Sequence, residues 1–138
     1  LPLTNHLVDA DGNPLRPEEF FVPGSLLEVS AMDESPVMAG MADAFIVNFA
    51  RSPVFSVLPG APGIKVLGGF ADTTPLRSGW AWGQEKLEGG VALVEARVGE
   101  GTLYLFGPQV TYRGQTHETF PLVFNGIFLS NDRETTLR

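Results

Sequence analysis

Glycine and proline recur so often along this chain that a long helix has no room to run until close to the C-terminus. There are 16 glycines and 11 prolines among 138 residues. Proline removes a backbone donor and clashes with the preceding turn of a helix, and glycine in a helix interior costs conformational entropy. The segments left between them are short, which suits strands joined by turns. The length fits a single domain.

The segments sort by pattern into about six strands. Ser25–Val29 follows Pro23-Gly24, and Ala44–Phe49 is short and mostly apolar. Val54–Leu58 follows the break at Ser52-Pro53, and Ile64–Phe70 is weakened by Gly68-Gly69. The strongest local signal is the pair Val91–Val98 and Thr102–Phe106. Both are rich in β-prone residues, and the Gly99-Glu100-Gly101 link predicts an antiparallel hairpin. The apolar run Leu103–Phe106 reads as a central strand buried on both faces. Asp9–Pro14 and Met32–Met41 read as loops, and Pro17–Phe21 as one helical turn.

One helix is expected. Phe120, Val123, Phe124, Ile127 and Phe128 fall at i, i+3, i+4, i+7 and i+8, which aligns five apolar side chains on one face and predicts that this face is core. Pro121 is tolerated only in a first turn, so the helix should start near Thr119, a candidate N-cap. The polar stretch from Asn131, ending the chain at 131–138, is expected to fray.

Composition narrows the function classes. Hydrophobic residues make up 43% of the chain and charged residues 18%, enough apolar material for a core. The formal net charge of -7 makes nucleic acid a poor partner. There is no cysteine, so disulfides and thiolate chemistry are excluded. No apolar stretch reaches the roughly 18 to 20 residues of a membrane span. The chain starts at Leu1 with no signal peptide, and reads as a piece of something longer. The two histidines, His6 and His117, lie in neither HxxE nor HExxH, so neither a metal site nor a cofactor is expected within this chain. No Gly-x-Ser-x-Gly elbow occurs. A small hydrolase pairing His117 with a serine remains an alternative.

Two groups of residues are candidates for ligand or interface roles. The stretch from Gly107 to His117 joins the expected hairpin to the helix N-terminus, a place that favours anions. It holds Gln109, Arg113, Gln115 and His117, with Arg113 expected to hydrogen-bond loop carbonyls or a carboxylate. Trp80 and Trp82, two apart, would share a face of a strand. Paired indoles of this kind serve as core or interface anchors, or stack on sugars and peptides.

Several longer strings carry a family resemblance. They are Thr74-Pro75-Leu76-Arg77-Ser78-Gly79-Trp80-Ala81-Trp82-Gly83, Gly101-Thr102-Leu103-Tyr104-Leu105-Phe106-Gly107-Pro108, and Arg113-Gly114-Gln115-Thr116-His117-Glu118-Thr119-Phe120. Upstream, Phe20–Ser25 and Ala50–Phe55 fit the same pattern. Together they resemble the C-terminal region of large secreted bacterial zinc carboxypeptidases of the carboxypeptidase A clan. That region is similar to class I glutamine amidotransferase-like domains, which are flavodoxin-like α/β sandwiches. The resemblance implies a single accessory domain over 1–138, an incomplete sandwich that is strand-rich with one C-terminal helix. It also implies that catalytic zinc sits in an N-terminal peptidase domain, which would be this domain's partner, with homo-oligomerisation a further option. Export to the periplasm or beyond would follow from the parent's signal. The alternative is a carbohydrate- or peptide-binding module using Trp80 and Trp82, for which exposure of both rings is the discriminating observation.

Overall fold

In the computed structural model, which describes residues 1–130, the segments between the glycines and prolines assemble into one strand-dominated sheet with a C-terminal helix. The strands are β1 (Leu3–Asn5), β2 (Ser25–Ala31), β3 (Ala44–Phe49), β4 (Phe55–Val57), β5 (Ile64–Gly69), β6 (Leu76–Ser78), β7 (Val91–Val98) and β8 (Gly101–Phe106), and the helix is α1 (Phe120–Ser130). The sheet order is β1-β4-β7-β5-β2-β3, with β6 added to β2 and β8 to β7. Every pairing between these strands is antiparallel. The described residues therefore contain the expected strands and helix but no parallel ladder, the mark of a flavodoxin-like sandwich. Only β2–β3 and β7–β8 pair strands that are consecutive in the chain, and the other neighbours in the sheet are brought together from separated segments.

Alternation sets the core. Leu27 and Val29 of β2 and Phe45, Val47 and Phe49 of β3 are buried together with Leu67, Phe70, Leu87, Leu93 and Leu122. The Phe49 ring meets Phe20 and Phe70 edge-on, at 6.2 and 6.1 Å between centroids. Val91, Val94 and Ala96 form a second cluster with Phe55, Val57 and Leu105. The strand buried on both faces is thus β7.

That finding corrects the reading of Leu103–Phe106. The hairpin itself forms as expected, with Val98 opposite Gly101, so that Gly99-Glu100 make the turn. Its second strand, β8, pairs only with β7 and is partly exposed along its length, with Leu103 exposed. An apolar run on a strand beside a two-sided neighbour looks the same in sequence as a central strand. The Gly68-Gly69 weakness appears as a shift of register where β5 meets β7.

The outer edge of β3 is covered by the segment that follows β8. Gln109 N donates to Asn48 O at 3.0 Å, and the Asn48 side-chain amide lies 3.5 Å from Gln109 Oε1. Glu118 Oε2 accepts from Ile46 N at 2.6 Å, and Thr116 Oγ1 donates to Ile46 O. Backbone groups of a strand edge are thereby occupied by side chains and one bridge.

The helix α1 begins where Pro121 requires, but it is rotated from the expected orientation. Leu122 is buried, while Phe124 and Phe128 are 67% and 74% exposed. Asn125 Nδ2 donates to Val37 O and Ala39 O at 2.9 and 2.8 Å. Gly126 lies close to Tyr104 and Val37. The inward side is the one that buries Leu122 and lets the Asn125 amide satisfy the carbonyls of Val37 and Ala39. Those needs outweigh the area of the larger apolar stripe. Thr119 is also not the expected cap. Its hydroxyl is buried, and its hydrogen-bond partners are the carbonyls Val110 O and Thr116 O, at 2.7 and 2.9 Å, rather than helix donors. The polar stretch 131–138 lies outside the described residues.

Candidate functional site

A row of aromatic groups on the surface is the most organised feature that the core does not require. It starts from the segment Gly79–Gly83. Gly79 has φ +98°, and a Cβ there would meet Ser25 Oγ at 2.6 Å. Gly83 has φ +74°, and a Cβ there would collide with Glu19 O. Both positions demand glycine, for conformation and for the close approach of neighbouring chain. Between them the main chain is pinned twice. Ser25 Oγ accepts from Trp80 N at 2.9 Å and donates to Trp80 O at 2.6 Å. Trp82 exchanges two backbone bonds with Phe21, at 2.9 and 3.0 Å.

These constraints present the two indoles outward. Trp80 and Trp82 are 55% and 54% exposed. Their rings stack at 6.5 Å with 24° between planes. Trp82 Nε1 donates to Glu18 O at 2.8 Å, which fixes that ring. Phe21 meets Trp80 edge-on at 6.0 Å, and the Arg51 guanidinium lies over the Phe21 ring at 5.8 Å. The sequence expectation that Trp80 and Trp82 share a face holds, although the carrier is a pinned loop.

Phe21 and Arg51 also line an open cleft of about 690 Å³, walled by Leu7, Leu15, Phe20 and Pro53 among others. Arg51 follows β3 with φ +52°, an unusual backbone for a residue with a side chain. Its N–H donates to Val22 O at 3.0 Å, which holds the turn. Nothing in the sequence pattern singles out Arg51, since the cleft is assembled from three separated segments.

The other sequence candidates are placed differently. Gln109 serves the β3 edge. Arg113, Gln115 and His117 are exposed. Arg113 has φ +50° and its guanidinium lies over the Tyr112 ring at 5.3 Å. It makes no hydrogen bond to a carbonyl or carboxylate among the described residues, contrary to expectation. The stretch from Gly107 to His117 covers a strand edge, so its side chains do not converge on a ligand position. His117 packs against the Phe120 ring at 5.3 Å, and among the described residues no serine is bonded to it.

A serine–histidine contact does occur elsewhere. His6 Nδ1 lies 2.9 Å from Ser56 Oγ, and His6 Nε2 lies 3.2 Å from Glu88 O. With the proton on Nε2, the ring donates to Glu88 O and accepts from Ser56. The contact ties the end of β1 to β4 and to the turn before β7, and neither residue lines the large cleft. The pair is 50 residues apart in sequence, so no spacing signal marks it. Among the described residues no group of three or more His, Asp or Glu side chains is placed to hold a metal ion. No described helix is long and apolar enough to cross a membrane.

No protein-family model, curated protein or solved structure matches this chain.

Proposed function

We propose that the chain is a non-catalytic accessory domain of an exported zinc metallocarboxypeptidase, acting through contacts with its own peptidase domain or with a second copy. In this reading the domain has amidotransferase-like descent, and zinc and peptide-bond hydrolysis belong to the N-terminal part of the parent. Its place would be periplasmic or extracellular. The observation that supports it is the outward face of α1. Phe124 and Phe128 stand largely in solvent although Leu122 already completes the core beneath the helix. Two exposed phenylalanines on one helix form a surface suited to another apolar surface. The test is to read the coding sequence upstream of Leu1 and express the longer protein. An HxxE pattern with a later histidine behind an export signal, with chelator-sensitive release of C-terminal residues, is the expected result. An upstream region without such ligands overturns the proposal.

The exposure of both indoles favours a second reading, a carbohydrate- or peptide-binding module using Trp80 and Trp82. The hydrolase reading based on His117 receives no comparable support.

A further inference from the structure

The cleft and the aromatic row share Phe21, whose ring lies under the Arg51 guanidinium and meets the Trp80 ring edge-on. Their chemistry selects among ligands. The cleft walls are apolar side chains of Leu7, Leu15, Phe20 and Pro53. Of the cleft's polar side chains, Asn5 is occupied within its own turn, where Oδ1 accepts from Leu7 N at 3.1 Å and Nδ2 donates to Leu7 O at 3.2 Å. Ser52 Oγ accepts from Ala50 N at 3.2 Å. A sugar needs many directed polar partners, and this cleft offers few. Arg51 is different. Among the described residues no carboxylate pairs with it, nor with Arg97 or Arg113, whereas Arg16 and Arg77 pair with Glu19 and Glu28; of the three unpaired arginines Arg51 alone lines this cleft. In a chain of formal net charge -7, an Arg with no acid beside it at the mouth of an apolar cleft is a place where an anion is welcome. The row beyond Phe21 is two indoles long, so a ligand using all of it is a chain rather than a single ring.

We infer that this surface binds the C-terminal end of an apolar peptide. Arg51 takes the terminal carboxylate, the cleft takes the last apolar side chain, and Trp80 and Trp82 stack on the residues before it. The inference rests on the binding-module reading and narrows it to one ligand class; it does not depend on the parentage of the chain.

The test uses the 138-residue chain and the tripeptide N-acetyl-Pro-Phe-Leu, as free acid and as C-terminal amide, followed by tryptophan fluorescence and calorimetry. The free acid is expected to bind saturably, and the amide about tenfold more weakly or worse, as befits loss of a charge-assisted contact. Arg51→Gln should bring the acid down to the level of the amide. Arg51→Gly tolerates the positive φ and removes the guanidinium, so it gives the same result if Arg51→Gln folds poorly. Equal binding of acid and amide, no binding of either, or a free apolar acid such as 3-phenylpropionate binding as tightly as the peptide each overturn the inference. Soluble oligosaccharides that bind while the peptides do not would overturn it and leave the binding-module reading standing.

Discussion

The Ser25 hydroxyl holds both main-chain groups of Trp80, accepting from its N–H at 2.9 Å and donating to its carbonyl at 2.6 Å. Ser25 is buried on β2, while Trp80 is exposed, so a core strand sets the position of a surface ring. Ser25→Ala should cost about 1 kcal/mol, since water can reach the freed groups at Trp80. Its clearer effect should be a changed near-ultraviolet circular dichroism spectrum, reporting loss of the Trp80–Trp82 stack, with far-ultraviolet signal retained. An unaltered near-ultraviolet spectrum would show that the stack holds without this anchor.

The rotated helix predicts an inverted order of core sensitivity. Leu122→Ala should destabilise by about 2 to 5 kcal/mol, as buried Leu truncations do. Phe124→Ala should stay within about 0.5 kcal/mol of the parent, as exposed substitutions do. Urea denaturation of both variants checks this, and a larger loss at Phe124 would return that ring to the core.

Glu118→Ala removes the acceptor for Ile46 N and uncovers part of the β3 edge. A hydrogen bond to a charged group contributes about 1.5 to 3 kcal/mol, so a drop near the lower end is expected for this exposed pair. Exposed edges also template pairing between copies. Size-exclusion chromatography over a concentration series should show self-association of the variant where the parent stays unchanged.

Stability should fall at both ends of the pH range. Burial, aided by the negative charge of Glu95, pushes the Tyr104 pKa up from its ordinary value. A raised folded pKa means a contribution that is complete below the unfolded value and lost as pH rises through the folded one. Tyr104→Phe should therefore flatten the alkaline limb of a melting-temperature profile. Hydrogen bonds from the Thr74 backbone and side chain push the Asp72 pKa down. That contribution is present above the ordinary Asp range and lost as pH falls through the depressed value. Asp72→Asn should flatten the acid limb. Limbs of unchanged slope would show that neither group is linked to folding.

The strands with clear punctuation were legible before the structure. Ala44–Phe49 appears with its bounds unchanged, and the β7–β8 hairpin forms where its glycines indicate. The three-residue strands β1 and β6 were not legible, because each is defined by its partner and carries too few residues to show a period. The helix was legible, but its inward side was not. Large apolar residues lie around most of α1, and the side turned inward carries Asn125, whose carbonyl partners Val37 and Ala39 lie far upstream in the chain. Of the candidate site, the Trp80–Trp82 pairing was visible as spacing and its exposure was not. Arg51 gave no signal, because its meaning comes from Phe21 across a cleft. Arg113 looked meaningful for the charge it carries beside a helix, yet the edge of β3 recruits its neighbours Gln109, Thr116 and Glu118 instead.

The lid on the β3 edge also has a place in time. The β2 partner of β3 lies immediately upstream in the chain, joined through one loop, whereas the groups that shut its outer edge come 70 and 72 residues later. Contacts so distant along the chain form slowly, because a long loop must close first. During synthesis β2 and β3 can pair while the residues that will seal them are still to be made. For that interval the nascent chain carries an unguarded strand, and crowding by other nascent copies is most hazardous then. The covering segment is thus the last part of the β3 edge to be made.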